Sequence, residues 1–228
     1  MKITSIELQT SQPGKLKDFY TQTLGLSLVA EDTKQFSIQA GSSTITFRTV
    51  PERANEPYHF AFNIPSNQIT AASQWLQEKV AFLYAPGATS PVVEHESWEA
   101  QALYFYDPDF NIVELIAHKR SPESLAAFGP QQLMGLADIG IAVTDVTGFC
   151  EEVREKLQLP RWKSATALFE AVGDEKGMFI VVQEKRPWFP TQNPALTLPT
   201  RVEVLTAGIA TIRRGPIRID STTGNGQV

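Results

Sequence analysis

The chain has 228 residues, of which 42% are hydrophobic and 20% are charged, and its net charge is −5 at pH 7. This is the composition of an ordinary globular protein with room for one or two hydrophobic cores. The negative net charge argues against a nucleic-acid partner. The single cysteine, Cys150, excludes an intrachain disulfide and fits a reducing compartment. No apolar stretch approaches the roughly 20 residues of a membrane span, so we expect a cytoplasmic protein without a membrane partner.

The first fifty residues predict the order strand, helix, strand, strand, strand. Residues 3–10 alternate apolar and polar side chains, as a strand with one buried face does. A helix is predicted to begin at Ser11 and to run to about Thr23, with Gly25 placed where helices commonly end. Short strand-like runs follow at 26–30, 35–40 and 43–50.

The same order then repeats along the chain. A second unit begins with the alternating residues 57–64, a third begins at Leu133, and the strands after residue 200 look like the start of a fourth. Repetition with a period of about 55 residues predicts an α+β fold, in which repeated βαβββ units form curved sheets with helices on the outer face. We predict a paired domain over 1–118, a linker over 119–132 and a C-terminal segment over 133–228.

All three histidines fall between residues 59 and 118, so potential metal ligands are concentrated in one stretch. Histidine and glutamate are usual ligands of Fe(II), Mn(II) and Zn(II). Alternation with Phe60 and Phe62 predicts that His59 faces the concave side of the sheet. Glu114 lies within an apolar run, where an unpaired carboxylate is costly to bury, so it needs either a metal or a cation such as Arg48 as its partner.

Two other aromatic or titratable segments give weaker indications. His118 precedes Lys119 and Arg120 and is therefore predicted to lie on the surface. The pair Trp188-Phe189 is predicted either to cap an apolar cavity or to form a subunit contact.

Residues 93–114 contain a longer pattern. It consists of His95, seven residues, Leu103-Tyr104, two residues, Asp107-Pro108-Asp109, Phe110, three residues and Glu114. Together with the βαβββ order, Phe19-Tyr20 and Leu24-Gly25-Leu26, this pattern resembles the vicinal oxygen chelate superfamily. That superfamily includes glyoxalase I, the fosfomycin and bleomycin resistance proteins and the type I extradiol dioxygenases, and the pattern is most similar to the dioxygenases. Phe110 departs from it, because the family has glycine or proline there.

The resemblance implies a vicinal oxygen chelate fold, in which two βαβββ units form a cup around a divalent metal, Fe(II) or Mn(II). It implies that His59 and Glu114 are metal ligands. It also implies that Tyr104 hydrogen-bonds a substrate hydroxyl and that His95 assists as an acid, a base or a dipole.

The third metal ligand differs from the family pattern. The family has a histidine on the first strand, where this chain has Ser5, and Asp138 stands at the corresponding place in the third unit. Glu7 shares the inward face of the first strand with Ser5. If the first and fifth strands lie near each other across the cup, Glu7 supplies the third ligand, and this is the assignment that we predict.

Three functions are consistent with these residues. The first is a metal-dependent enzyme similar to the extradiol dioxygenases, which acts on a small vicinal-oxygen compound such as a catechol. The second is a metal-free binding protein of the bleomycin-resistance type, which the serine at position 5 favours. The third is a glyoxalase-like lyase or isomerase. The incomplete fourth unit leaves strand edges that predict a homodimer.

Overall fold

Successive βαβββ-like units make up the chain, as the repetition predicted, and the fold is α+β. The computed structural model describes residues 1–54 and 56–224. Residues 225–228, which the predicted C-terminal segment included, lie outside the described residues. Among the described residues, no helix is both long and apolar enough to cross a membrane.

The first two units follow the predicted order closely. Unit 1 contains β1 (Lys2–Thr10), α1 (Pro13–Asp18), β2 (Ser27–Glu31), β3 (Gln35–Ala40) and β4 (Ser43–Thr49). A π-helical segment, Phe19–Thr23, extends α1 to the predicted end of the helix. Unit 2 contains β5 (His59–Asn63), α2 (Ile69–Leu76), β6 (Phe82–Leu83), β7 (Val93–His95), β8 (Ala100–Tyr106) and β9 (Ile112–His118).

The C-terminal part contains one complete unit and one shorter unit. Unit 3 contains β10 (Gly135–Val143), α3 (Val146–Leu157), β11 (Arg161–Thr166), β12 (Phe169–Asp174) and β13 (Gly177–Gln183). Unit 4 contains β14 (Thr200–Leu205), β15 (Thr211–Arg214) and β16 (Ile217–Thr222), without a helix between its strands.

The units pair in a crossed order. In one curved sheet β1 lies between β4 and β14, which joins unit 1 to unit 4. In the other curved sheet β5 lies between β9 and β10, which joins unit 2 to unit 3. These two curved sheets are the halves of one continuous sheet, and they join where Ile3 of β1 pairs with Leu136 of β10.

This pairing differs from the predicted cup, in which unit 1 and unit 2 were paired within residues 1–118. Every residue of β5 and of β10 is buried, whereas the exposed and buried residues of β1 are mixed. Strands that are buried on both faces belong at the covered centre of a sheet, and β5 and β10 lie side by side there. The division of the chain into domains at residues 118 and 133 remains a prediction.

The second curved sheet has an apolar outer face and a partly polar concave face. Phe60 and Phe62 of β5 pack into the main hydrophobic core with the helices. Ala61 of the same strand belongs to a smaller cluster on the opposite face, together with Tyr104 and Trp188. The predicted alternation of faces along this strand is therefore confirmed.

Candidate metal centre and cavity

Three side chains with metal-binding atoms meet on the concave face where unit 2 joins unit 3. His59 lies on β5, Glu114 on β9 and Asp138 on β10. Each offers one ligand atom, and these atoms all lie within 4.8 Å of one another. His59 Nε2 is 3.5 Å from Glu114 Oε2 and 3.7 Å from Asp138 Oδ1. All three residues are buried, and none is more than 6% exposed.

The strand register brings the three residues together. Ala61 of β5 pairs with Glu114 on one side and with Asp138 on the other. His59 is two residues before Ala61 and therefore lies on the same face. Because alanine has a short side chain, the two carboxylates and the imidazole can approach one another above it.

A backbone hydrogen bond fixes the orientation of the His59 ring. Nδ1 lies 3.1 Å from the carbonyl oxygen of Ile112 and donates its proton to that oxygen, which leaves Nε2 unprotonated toward the carboxylates. Burial lowers the pKa of His59 to about 4, although this hydrogen bond acts in the opposite direction. At neutral pH the imidazole is therefore a neutral potential ligand.

The two carboxyl groups are in an environment that disfavours their charges. Burial raises the pKa of Asp138 to about 7. Burial, and then the charge of Asp138, raise the pKa of Glu114 well above its ordinary value. Asp138 Oδ1 is buried and has no hydrogen-bond partner among the described residues. A divalent cation fits this group, because it would pair with both carboxylates and use the free oxygen and the free imidazole nitrogen as ligands.

Tyr104 and His95 form a hydrogen-bonded pair beside this group. The Tyr104 hydroxyl oxygen lies 2.9 Å from His95 Nε2. Burial, and then the charges of Glu114 and Asp138, raise the pKa of Tyr104 well above its ordinary value. Burial also lowers the pKa of His95. A protonated phenol therefore stands beside a neutral imidazole, which is an arrangement that can donate a hydrogen bond or move a proton.

The turn between β8 and β9 holds the Glu114 strand against β5. Asp107 accepts hydrogen bonds from the Tyr20 hydroxyl at 2.8 Å and from Asn111 Nδ2 at 2.9 Å. Asn111 Oδ1 accepts a 3.0 Å hydrogen bond from the Tyr58 backbone N–H, next to His59. The predicted motif residue Asp107, together with Asn111, thus ties unit 1, the start of β5 and β9 together.

A cavity of about 220 Å³ opens above the three ligand residues. His59, Glu114 and Asp138 lie on its wall together with His95 and Tyr104. The rest of its lining is mainly aromatic or apolar: Trp98, Ile116, Phe169, Ile180, Trp188 and Phe189, with Arg186 as a further charged residue. Trp188 and Phe189 were predicted either to cap an apolar cavity or to form a subunit contact. The structure places both side chains at a cavity.

Trp188 packs closely on the histidine ligand. Its ring centroid lies 5.3 Å from that of His59. A Cβ atom at Gly140 would lie 2.6 Å from Trp188 Cη2 and 3.1 Å from His59 Cβ. Glycine at position 140 therefore leaves the space in which the indole covers the imidazole.

A sequence profile of the Glyoxalase/Bleomycin resistance protein/Dioxygenase superfamily matches residues 2–115. The chain belongs to this superfamily. The expected resemblance is thereby confirmed at the level of the superfamily. No curated protein matches the sequence.

Solved structures of the superfamily share the fold over most of the chain. A "putative dioxygenase" from Bacillus subtilis is 15% identical with a TM-score of 0.67, and the match covers 99% of this chain and 86% of that one. A variant of glyoxalase I from Zea mays is 13% identical with a TM-score of 0.56, and the match covers 89% of this chain and 74% of the other. At these identities the similarity establishes the fold alone.

The structure does not bring Glu7 into the metal group, so its prediction as the third metal ligand is corrected. Glu7 lies on β1 in the other curved sheet, where its Oε1 is 3.5 Å from Arg48 Nη1. Its side chain is 34% exposed, so its charge is solvated and paired. The prediction required β1 to lie near β5. The structure instead pairs β5 with β10, and Asp138 of β10 is the third residue of the metal group.

His118 was predicted on the surface, and this was wrong. The residue is 1% exposed and its ring lies 6.3 Å from that of Trp162 in an edge-to-face arrangement. His118 follows Glu114 and Ile116 at intervals of two along β9, so alternation places it on the concave face despite the charged residues that follow it.

The sequence contained an indication of Asp138 that our ligand assignment did not use. Asp138 lies on the first strand of unit 3 at the place where Ser5 lies in unit 1. The repetition of units therefore indicates Asp138 as a candidate metal ligand, because the superfamily pattern has a metal ligand on the first strand of a unit. Nothing comparable in the sequence indicated that Arg186 lines the cavity. This residue lies on a loop, where alternation does not predict the direction of a side chain.

Proposed function

We propose that the protein is a divalent-metal-dependent enzyme that resembles the extradiol dioxygenases and acts on a small vicinal-oxygen compound, such as a catechol, in the cavity between units 2 and 3. The observation that carries the proposal is the buried group of His59, Glu114 and Asp138, whose ligand atoms lie within 4.8 Å of one another. Two carboxylates that are buried without a cation are costly to ionise together, and a metal removes that cost.

The ligand set also bears on which metal binds. One imidazole and two carboxylates offer more oxygen than the facial triad of two histidines and one carboxylate that non-haem Fe(II) oxygenases use. Oxygen ligands suit harder ions, so we propose Mn(II) or Fe(II) at this site. When bound, the ion would supply Lewis acidity, which lowers the pKa of a substrate hydroxyl and holds two neighbouring oxygens in place.

The residues around the ligands would bind the substrate and handle its protons. The Tyr104 hydroxyl, which burial keeps protonated, would donate its hydrogen bond to His95 Nε2 and accept one from a substrate hydroxyl. His95 lies within hydrogen-bond distance of Tyr104 and is neutral, so it would accept a proton from the substrate through this hydroxyl. Trp188 and Phe189 would exclude water from the cavity, which strengthens the electrostatic interactions inside it.

Metal content tests the first half of the proposal. The native protein, dialysed against Mn(II) or anaerobically against Fe(II) and then desalted, is expected to retain about one divalent ion per chain when assayed by elemental analysis. The variants His59→Ala and Asp138→Asn should retain much less. Glu7→Gln is the matched control, since it removes a carboxylate of the other sheet. A native protein without bound metal would contradict the proposal, and so would an Asp138→Asn variant that retains a full complement.

Oxygen consumption tests the second half. The metal-loaded protein should consume O₂ when it is mixed with catechol, and Tyr104→Phe should lower kcat without lowering the metal content. The departure from the facial triad favours a second candidate, a glyoxalase-like lyase or isomerase, which needs no O₂. Turnover at equal rates in air and under nitrogen would support that candidate instead.

The predicted homodimer is part of the proposal. Strand β2 pairs only with β3 among the described strands, and all five of its residues are exposed, with Leu28 at 43% and Val29 at 51%. An exposed edge of this kind is suited to pairing with a second copy. Sedimentation at micromolar concentration should show a dimer that Val29→Lys converts into a monomer. The control Leu168→Lys changes an exposed residue of unit 3 and should leave the dimer intact.

A further inference from the structure

We propose that the natural ligand of the cavity is a one-ring aromatic compound that carries a carboxylate, and that Arg186 binds this carboxylate and determines specificity for it. This inference rests on the proposed function in that both use the same cavity. It adds the substrate class, which the metal group alone does not define.

The size and the walls of the cavity suit one aromatic ring. A cavity of about 150 Å³ is large enough for benzene, and this cavity measures about 220 Å³. One substituted ring therefore fits inside it. Trp98, Phe169 and Phe189 offer aromatic walls, which favour a planar aromatic ligand over an aliphatic one.

Arg186 is the cation on the wall of this aromatic cavity. No carboxylate of the described residues lies within 4.0 Å of its guanidinium, whereas Arg154 and Arg161 are both paired with Glu170 nearby in unit 3. Its polar contact at 3.5 Å is with the carbonyl oxygen of Pro187. A guanidinium has five N–H donors, so most of its donors are available to a ligand.

The guanidinium is also held in position before a ligand arrives. Its Cζ lies 5.3 Å from the ring centroid of Phe169, which supports it through a cation–π contact. The backbone of the loop is fixed by a hydrogen bond from Ala195 N–H to the Arg186 carbonyl oxygen at 2.9 Å. Asn193 Nδ2 donates a further hydrogen bond to the Tyr106 hydroxyl at 2.8 Å. Preorganisation of this kind lowers the entropy lost when a ligand binds.

The charge balance of the cavity indicates an anionic group on the ligand. Glu114 and Asp138 carry two negative charges when a divalent cation is bound, and the sum of these charges is zero. The positive charge of Arg186 on the same wall is then uncompensated. A planar carboxylate fits a guanidinium through two parallel hydrogen bonds, which gives both charge compensation and a defined orientation of the ring.

Benzoate and benzamide test the inference, because they have nearly the same shape and differ in charge. Trp98 and Trp188 line the cavity, so quenching of tryptophan fluorescence reports binding to the Mn(II)-loaded protein. We expect benzoate to bind at least about tenfold more tightly than benzamide, as one charge-assisted contact provides. Arg186→Gln should reduce this ratio to about one, and Arg186→Lys should retain part of it.

Arg213→Gln is the matched control, since Arg213 is exposed on β15 and has no carboxylate partner among the described residues. It should leave the ratio unchanged. Equal affinities for the two probes, no binding of either probe, or a preference that survives Arg186→Gln would each overturn the inference. The last result would assign the benzoate contact to the metal.

The same titration without metal separates the two proposals. A protein that binds no metal but keeps an Arg186-dependent preference for benzoate would contradict the proposed function and support the Arg186 inference. A protein that binds metal and consumes O₂ with catechol, but does not distinguish the two probes, would support the proposed function and contradict the Arg186 inference.

Discussion

His59 and Asp138 lie on adjacent antiparallel strands of different units, with His59 Nε2 3.7 Å from Asp138 Oδ1. The carboxyl group has a pKa of about 7 because it is buried, so protons and a metal compete for it near neutral pH. Because the folded-state pKa is raised from 3.8, the metal-free protein loses stability as the pH rises from about 4 to about 7, since the unfolded carboxyl releases its proton over this range while the buried one keeps it.

The first prediction follows from this competition. The increase in Tm that Mn(II) produces should be clearly larger at pH 8 than at pH 6, as measured by thermal unfolding with and without EDTA. Asp138→Asn should remove most of the pH dependence and most of the increase, whereas Glu7→Gln should preserve both. Equal increases at the two pH values would contradict the assignment of Asp138.

The second prediction concerns the contact of Trp188 with His59. Gly140→Ala should displace the indole, because the new Cβ would lie 2.6 Å from Trp188 Cη2. We expect a loss of roughly 1–3 kcal/mol in the free energy of unfolding and weaker binding of catechol, both measured by tryptophan fluorescence. The control is Gly14→Ala, where nothing lies within 4 Å of the added Cβ. A variant at position 140 that binds catechol normally would show that this contact is unimportant.

The third prediction concerns Phe110, which stands where the family motif has glycine or proline. Phe110 has a φ of +60° and its side chain is 52% exposed. Glycine adopts this left-handed conformation without the cost of about 1 kcal/mol or more that other residues incur. Phe110→Gly should therefore be more stable than Phe110→Ala by about 1 kcal/mol in urea unfolding, since both variants lose the contact with Tyr106. The reverse order would mean that the turn is not strained.

The fourth prediction uses the buried His118. Burial lowers its pKa from 6.5 to about 4, so the unfolded chain binds a proton as the pH falls through 6.5 and the folded chain does not. Stability that is present above pH 6.5 is therefore lost between pH 6.5 and about 4, by about 3 kcal/mol for this residue.

Urea unfolding at pH 7 and pH 5 measures this effect. Neither ring nitrogen makes a hydrogen bond of good geometry with the described residues, and burial outweighs the backbone contact with Trp98 that raises the pKa, so His118→Leu should be tolerated at pH 7. The variant should lose much less stability than the native protein between pH 7 and pH 5. Lys119→Leu, at the exposed neighbouring position, should retain the native dependence. A native slope in His118→Leu would assign the acid sensitivity to other groups.

The sequence predicted the repeated units and the faces of their strands, because alternation and turn residues are local properties. His59 and Glu114 were correctly assigned to the concave face for this reason. The same alternation also applied to His118, where the adjacent charged residues were given too much weight.

The partner of each unit was not predictable from local patterns. Alternation shows which face of β5 is polar, but it does not show whether β1 or β10 lies beside that strand. The choice depends on contacts between residues far apart in the chain, which the pattern of a single strand does not contain. For this reason Glu7 was predicted as the third ligand, although Asp138 lies in the group.

The pairing of β5 with β10 has a consequence for folding. His59 and Asp138 are 79 positions apart in the chain (138 − 59), so the ligand group forms only after a long loop has closed. Such non-local contacts form late and slowly, because loop closure costs entropy before the contact repays it. A nascent chain that has completed unit 2 therefore holds only two of the three ligand residues, His59 and Glu114. Metal capture during refolding should coincide with the docking of the third unit, which makes the ion a reporter of completed long-range assembly.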